Sequence, residues 1–207
     1  MIKLLIETCE FDRRLLKLTK KIPDQVHIAT YGIYAGITTE GRNAFNYTSL
    51  AVRSFLDNLQ MNNVPTKILV GTYSYKSCCN LQVCNNCEKQ YVRTLIRLLN
   101  HAEVFKQFEW RFHTECHLKY IIAKHNDSLT TLSGGRNLTG SAFIDSSFVC
   151  TDQKLNAAMN SHFLQTWEAA TPLNEETISN LMEEQHITKK GCEMAVRGLD
   201  VSTNDCF

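Results

Sequence analysis

His117 and Lys119 stand two residues apart, and Gly134-Gly135-Arg136-Asn137 follows at a distance that a hairpin can span. An imidazole can attack phosphorus or carry a proton, an ammonium is a compact positive charge, and a carboxamide donates hydrogen bonds. Together these groups suit a phosphate whose negative charge grows during displacement. Two consecutive glycines let backbone approach a ligand closely, and Arg136 adds a second cation. Glu115, two residues before His117, is a further polar candidate that can orient a histidine.

Strands are the expected support. Alternation along an extended segment 117–123 puts His117 and Lys119 on one face. The pattern predicts strands at Arg111–Cys116, Leu118–Ala123 and Leu129–Leu132, with His125-Asn126-Asp127 as the turn between the last two. That hairpin returns the chain to Gly134 beside the start of its first strand. Apolar residues at helical spacing predict helices around Phe11, Leu15, Leu18 and Ile22, around Val52–Leu59, and around Val92–Leu99. The same spacing recurs at Leu155, Met159, Phe163 and Trp167, and at Ile178 and Met182. Extended runs at Val26–Tyr34 and Ile68–Val70 alternate with these helices, so the expected class is α/β. Residues 1–186 form one expected domain with a cysteine-rich insert at 76–90, and 187–207 form a polar tail.

The chain has 207 residues, 43% of them apolar and 21% charged, with a formal charge of +1. This balance excludes a globally basic nucleic-acid binder, although a local patch is compatible with a neutral total. The opening MIKLLIETCEFDRR is too short and too interrupted by Glu7 and Glu10 to read as a secretion signal or a membrane span. A cytoplasmic protein without a membrane partner is expected.

The chain has nine cysteines, an odd number, and Cys78, Cys79, Cys84 and Cys87 crowd into one short segment. In a reducing compartment such a cluster suits metal rather than disulfides. Cys84-x-x-Cys87 has knuckle spacing for a structural zinc, with Cys79 or Cys78 reaching back to it. Adjacent cysteines share one ion poorly, so His101, His113 or Cys116 are alternative fourth ligands. Free thiols and an iron–sulfur cluster are the other readings. A closed shell of four ligands would pin the loop and leave no position for catalysis.

The stretch from His117 to Thr139 resembles the phospholipase D superfamily. Its signature reads His-x-Lys, an acidic residue five places after the lysine, then Gly-Ser-x-Asn. His117-Leu118-Lys119 matches the first part and Gly134-Gly135-Arg136-Asn137-Leu138-Thr139 resembles the last. Lys124 occupies the acidic position, Gly135 the serine position, and the hairpin is slightly longer than usual. Weaker likeness covers about residues 20–170, including Val26–Tyr31 as a first core strand and Phe163 to Glu168 as a closing helix.

The resemblance implies a mixed β-sheet flanked by helices. It also implies phosphodiester cleavage through a phosphohistidine, without a catalytic metal. One histidine attacks, a second protonates the leaving oxygen and then activates water, and lysine and asparagine hold the phosphate. Two motifs are needed, yet none of His27, His101, His113, His125, His162 or His186 is followed two places later by lysine. A homodimer with His117 beside its symmetry mate supplies the second. The expectation is therefore a homodimeric endonuclease acting on DNA. Its catalytic residues are His117, Lys119 and Asn137, with Gly134, Gly135, Arg136 and Glu115 at the substrate. The alternatives are an inactive nucleic-acid-binding module of the same fold and a phospholipid phosphodiesterase or transferase.

Three further signals are weaker. Tyr31-Gly32-Ile33-Tyr34-Ala35-Gly36 resembles the first motif of the GIY-YIG nucleases, but an apolar strand ending in tyrosines explains it better. His113-Thr114-Glu115-Cys116-His117 has the spacing of a helical metal pair in a segment whose pattern is extended. Arg93 and Arg97 lie one turn apart on a helix and read as a solvated face.

Overall fold

The computed structural model describes residues 1–5, 8–37, 41–43, 47–71, 85–114, 116–134, 138 and 147–184. In chain order the elements are β1 (Ile2–Leu5), α1 (Thr8–Lys17), β2 (Gln25–Thr30), α2 (Tyr47–Met61), β3 (Thr66–Gly71) and α3 (Asn85–Val104). They continue with β4 (Glu109–His113), β5 (Tyr120–His125), β6 (Ser128–Gly134) and β7 (Ser147–Cys150). The chain then forms α4 (Gln153–Ala169), β8 (Thr171–Pro172) and α5 (Glu175–Glu184). Among the described residues the strands make one eight-stranded sheet, ordered β1-β7-β6-β5-β2-β3-β4-β8. β2, β3 and β4 run parallel at its centre, and the other neighbouring pairs are antiparallel.

Alternation along the strands sorts side chains to two cores. Ile28, Ile68, Val70, Ile121 and Leu132 face one side, packed with Phe55 and Leu59 of α2, Leu95 of α3 and Ile178 of α5. Ala29, Leu69, Tyr120 and Ile122 face the other, covered by Phe163 and Trp167 of α4. Helices on both faces of a mixed sheet are the expected α/β architecture. Periodicity located these helices because each buries one stripe: Val52, Phe55, Leu56 and Leu59 on α2, and Phe163 and Trp167 on α4, are all at most 2% exposed.

Two helix ends have identifiable chemistry. α2 stops at Asn63, whose φ of 50° is left-handed. The Asn63 amide donates to the Gln60 carbonyl at 3.1 Å and the Val64 amide to the Leu59 carbonyl at 2.9 Å. Those two bonds satisfy carbonyls that the helix would otherwise strand, and buried Val64 packs at the same corner. α4 starts with Asp152, whose carboxylate accepts from the Leu155 amide at 3.0 Å.

Several expected boundaries move. β2 ends at Thr30 rather than Tyr34, because Ile33, Ala35 and Ile37 turn individually into the core from an irregular segment. β4 ends at His113 and β5 begins at Tyr120, so His117 and Lys119 lie on the connection between them and not on a strand. β1 and β7 were not anticipated. They pair with each other, Ile2 opposite Cys150 and Leu5 opposite Ser147. The β5–β6 hairpin does form, with His125 opposite Ser128 and Asn126 at a φ of 50° in the turn. The tail 187–207 lies outside the described residues.

Candidate phosphate site

The parallel strands β2, β3 and β4 end at Thr30, Gly71 and His113 on one edge of the sheet. The antiparallel strand β5 starts there at Tyr120, and β6 returns to it at Gly134. In open α/β sheets this carboxyl-end edge is where ligands bind. The connection carrying His117 and Lys119 crosses it.

His117 is exposed, and its imidazole leans on the ring of Tyr31, with centroids 4.8 Å apart at a tilt of 48°. Tyr31 is the first residue beyond β2. Room for this pair depends on Gly71, where a methyl group would lie 2.7 Å from the Tyr31 ring and 2.1 Å from the Cys116 carbonyl oxygen. Any side chain at position 71 therefore displaces the connection that presents His117. Below it, Cys116 is 5% exposed, and burial pushes its thiol pKa up, which favours the neutral thiol over a metal-binding thiolate.

Lys119 is half-buried, and its carbonyl accepts from the Gly134 amide at 3.3 Å and from the Ser133 hydroxyl at 3.1 Å. The hairpin thus brings Gly134 directly to the histidine–lysine segment, as its length predicted. Gly134 has a second reason to be glycine. A methyl group there would sit 2.3 Å from Ser147 Oγ, so the absent side chain lets β6 pair with β7. The close approach at Gly134 is to Ser147 of the neighbouring strand β7.

Gly135, Arg136 and Asn137 lie outside the described residues, as does Glu115. Their flanks are fixed. Leu138 is buried, its amide donates to Thr30 Oγ1 at 3.2 Å, and its carbonyl accepts from the Tyr34 amide at 2.7 Å. Thr30 in turn donates its hydroxyl to the Gly32 carbonyl at 2.6 Å. Lys119, Thr30 and Leu138 line one small cavity. Residues 134 and 138, bracketing the glycine–arginine–asparagine segment, are therefore both tied to the edge that holds His117 and Lys119.

Lys124, at the position where the resemblance calls for an acid, sits at the far end of β5. Five residues at about 3.3 Å each put it roughly 16 Å along the chain from Lys119. This departure does not touch the phosphate edge. Tyr31 and Thr30 adjoin the candidate site and were not expected from the sequence. The available signal was their position, a polar and an aromatic residue at the carboxyl end of a central strand.

The structure removes one proposed metal ligand. His101 is fully buried on α3, its Nε2 accepts from the Ala35 amide at 2.9 Å, and its Nδ1 donates to the Arg97 carbonyl at 2.7 Å. Both ring nitrogens are used, so His101 is a clamp between α3 and segment 31–37. That clamp and the buried Ile33, Ala35 and Ile37 also account for the Tyr31–Gly36 motif as packing. His113 ends β4 and Thr114 turns the chain, so His113 and His117 share neither a helix nor a strand. Cys78, Cys79 and Cys84 lie outside the described residues, and Cys87 falls in the first turn of α3 with its side chain undescribed. Among the described residues, no group of three or more His, Cys, Asp or Glu side chains gathers for a metal, and no helix is long and apolar enough to cross a membrane.

No family model matches the chain, and no curated protein matches it in sequence. Solved structures do match in shape. NucT from Helicobacter pylori superposes with a TM-score of 0.55 at 10% identity, over 83% of this chain and 98% of that one. Nuc from Salmonella typhimurium, a phospholipase D family member, gives 0.55 at 13% identity over the same shares. The phosphatidylserine synthase of Haemophilus influenzae Rd KW20 gives 0.61 at 15% identity, over 94% of this chain and 47% of that one. The chain has the phospholipase D-like fold, as the residues from His117 to Thr139 led us to expect.

Proposed function

We propose that this protein is a phosphodiesterase acting as a homodimeric DNA endonuclease. The observation that supports it most is the meeting of His117, Lys119, Gly134 and the anchored Leu138 at the carboxyl-end edge of a phospholipase D-like sheet. One His117 ring nitrogen attacks phosphorus, and the bond from phosphorus to the leaving oxygen breaks. The partner's His117 gives that oxygen its proton. The same imidazole then takes a proton from water, whose oxygen attacks the phosphohistidine and releases the first ring. Lys119 and Asn137 hold the phosphoryl oxygens throughout, with Arg136 and the Gly135 backbone beside them and Glu115 orienting a histidine.

DNA is favoured over lipid by the match in shape to Nuc and NucT, which extends over 98% of each of those chains and over 47% of the synthase. A structural zinc held by Cys78, Cys79, Cys84 and Cys87 would brace the segment before α3 for contact with the nucleic acid. Four thiolates are a donor set suited to zinc, and the pairing of both His101 nitrogens favours an all-cysteine site.

The test is cleavage of plasmid and single-stranded DNA, with denatured protein analysed for acid-labile phosphate on histidine. Wild-type protein should cut, and a short pulse with labelled DNA should leave label on His117. His117→Ala should lose at least about 1000-fold in rate and all of the label. Cleavage that survives the substitution, or cleavage without a phosphoenzyme, rejects the mechanism. DNA binding without cleavage by the wild type would identify the inactive module instead.

A further inference from the structure

The fold holds the backbone around His117 more firmly than it holds the imidazole. Cys116 is buried, its amide donates to the His113 carbonyl at 3.2 Å, and its own carbonyl oxygen lies against Gly71. On the other side, the Lys119 carbonyl accepts from the Gly134 amide and the Ser133 hydroxyl. The residues flanking the histidine are thus tied to the sheet. The imidazole itself stands exposed, and no hydrogen bond joins its nitrogens to another described residue. Two side-chain torsions would let such a ring occupy several staggered positions.

Displacement at phosphorus needs one of those positions. The attacking nitrogen must lie in line with the bond that breaks, and a misplacement of about 1 Å can cost 100-fold in rate. Tyr31 supplies a wall that discriminates among them. Its ring meets the His117 ring with centroids 4.8 Å apart at a tilt of 48°, within the range and inclination that aromatic pairs prefer. Such a pair favours its own arrangement by about two- to tenfold over an unpaired ring.

Tyr31 is in turn well fixed. Thr30 before it closes β2 and donates to the Gly32 carbonyl at 2.6 Å. Ile33 after it is buried and bridges Leu138 in parallel, and the Tyr34 amide donates to the Leu138 carbonyl at 2.7 Å. Gly71 leaves the space that the tyrosine ring fills, since a methyl group there would come within 2.7 Å of it. One short segment, 30–34, therefore touches both halves of the site: the ring of His117 and the anchor just beyond Asn137. We propose that Tyr31 is a positioning residue whose ring selects the His117 rotamer that attacks phosphorus, an inference that rests on the phosphohistidine reading. Because each centre uses His117 of both chains, the same contact serves the attack and the protonation of the leaving oxygen. The ring does this and the tyrosine hydroxyl does not.

Proton NMR of the full chain and rapid labelling with DNA provide the test. In the resting protein, through-space contacts should join the His117 and Tyr31 ring protons. Tyr31→Leu should move the His117 ring resonances to those of an unstacked histidine. In a millisecond pulse with labelled DNA, Tyr31→Leu should form phosphohistidine at least about fivefold more slowly, at the wild-type final amplitude and KM. A merely structural loss would lower the amplitude and leave the rate constant of the folded fraction unchanged. The conservative variant Tyr31→Phe keeps the ring and should label within about twofold of the wild-type rate. The role is overturned by a wild-type rate in Tyr31→Leu, by equal slowing in Tyr31→Phe, by reduced amplitude without slowing, or by the absence of the ring contacts in the wild type. A wild type that never forms phosphohistidine rejects the nuclease mechanism and this role together. Normal wild-type labelling with an unaffected leucine variant rejects the role alone.

Discussion

At the residue scale, two histidines that look alike in sequence have opposite exposure. His117 sits in solvent against Tyr31, as the proposed attack on phosphorus requires. His101 is sealed, and burial with Arg97 and Arg53 nearby lowers its pKa from 6.5 to about 4, against the raising effect of its bond to the Arg97 carbonyl. The unfolded chain therefore binds more protons than the folded one between these values. Stability is fully present above about pH 6.5 and declines as pH falls toward about 4, by an amount on the order of 3 kcal/mol. Urea unfolding across that range should show the decline, and His101→Gln should flatten it while lowering stability at pH 7. A wild-type profile without any slope there would mean that His101 already titrates normally in the fold. The sequence marked His117 through its lysine and the glycines downstream. It could not separate a clamp from a ligand at His101, because its partners, the Ala35 amide and the Arg97 carbonyl, are backbone groups that any sequence possesses.

At the element scale, legibility followed length and amphipathic contrast. α2 and α4 bury one stripe over many turns, so their spacing is visible. β1 and β7 have four residues each, too few to show alternation, and they exist by pairing with each other across most of the chain. The β5–β6 hairpin was legible because local turn residues and apolar runs agree. The exit from β4 was not: Trp110, Phe112 and Cys116 are all buried, and burial alone does not say that the strand stops at His113. The segment before α3 owes its interest to composition. Elemental analysis of purified protein should find about one zinc per chain. Cys84→Ala should lower that content and reduce DNA affinity, while leaving hydrolysis of a small aryl phosphodiester at His117 unchanged. Full zinc occupancy in the variant would remove Cys84 from the shell.

At the scale of the whole molecule, one copy of the histidine–lysine segment predicts a two-fold assembly with a shared centre. Mixing wild-type chains with His117→Ala chains tests this without any structure of the dimer. If each active centre needs both histidines, an equal mixture that exchanges subunits retains about a quarter of wild-type activity; independent centres retain about half. The strand order also has a temporal meaning. β2 lies beside β5, with Ala29 opposite Tyr120, and β1 must wait for β7, with Ile2 opposite Cys150. Contacts so distant along the chain make closure slow. During synthesis the first strand emerges long before its partner exists, so its unpaired backbone edge and Leu5, buried in the finished fold, need protection from foreign strands until the ribosome has made residue 150. A nascent chain stalled before β7 would hold His117 and Lys119 already translated, yet leave β6 an open edge and Leu5 without the strand it pairs with.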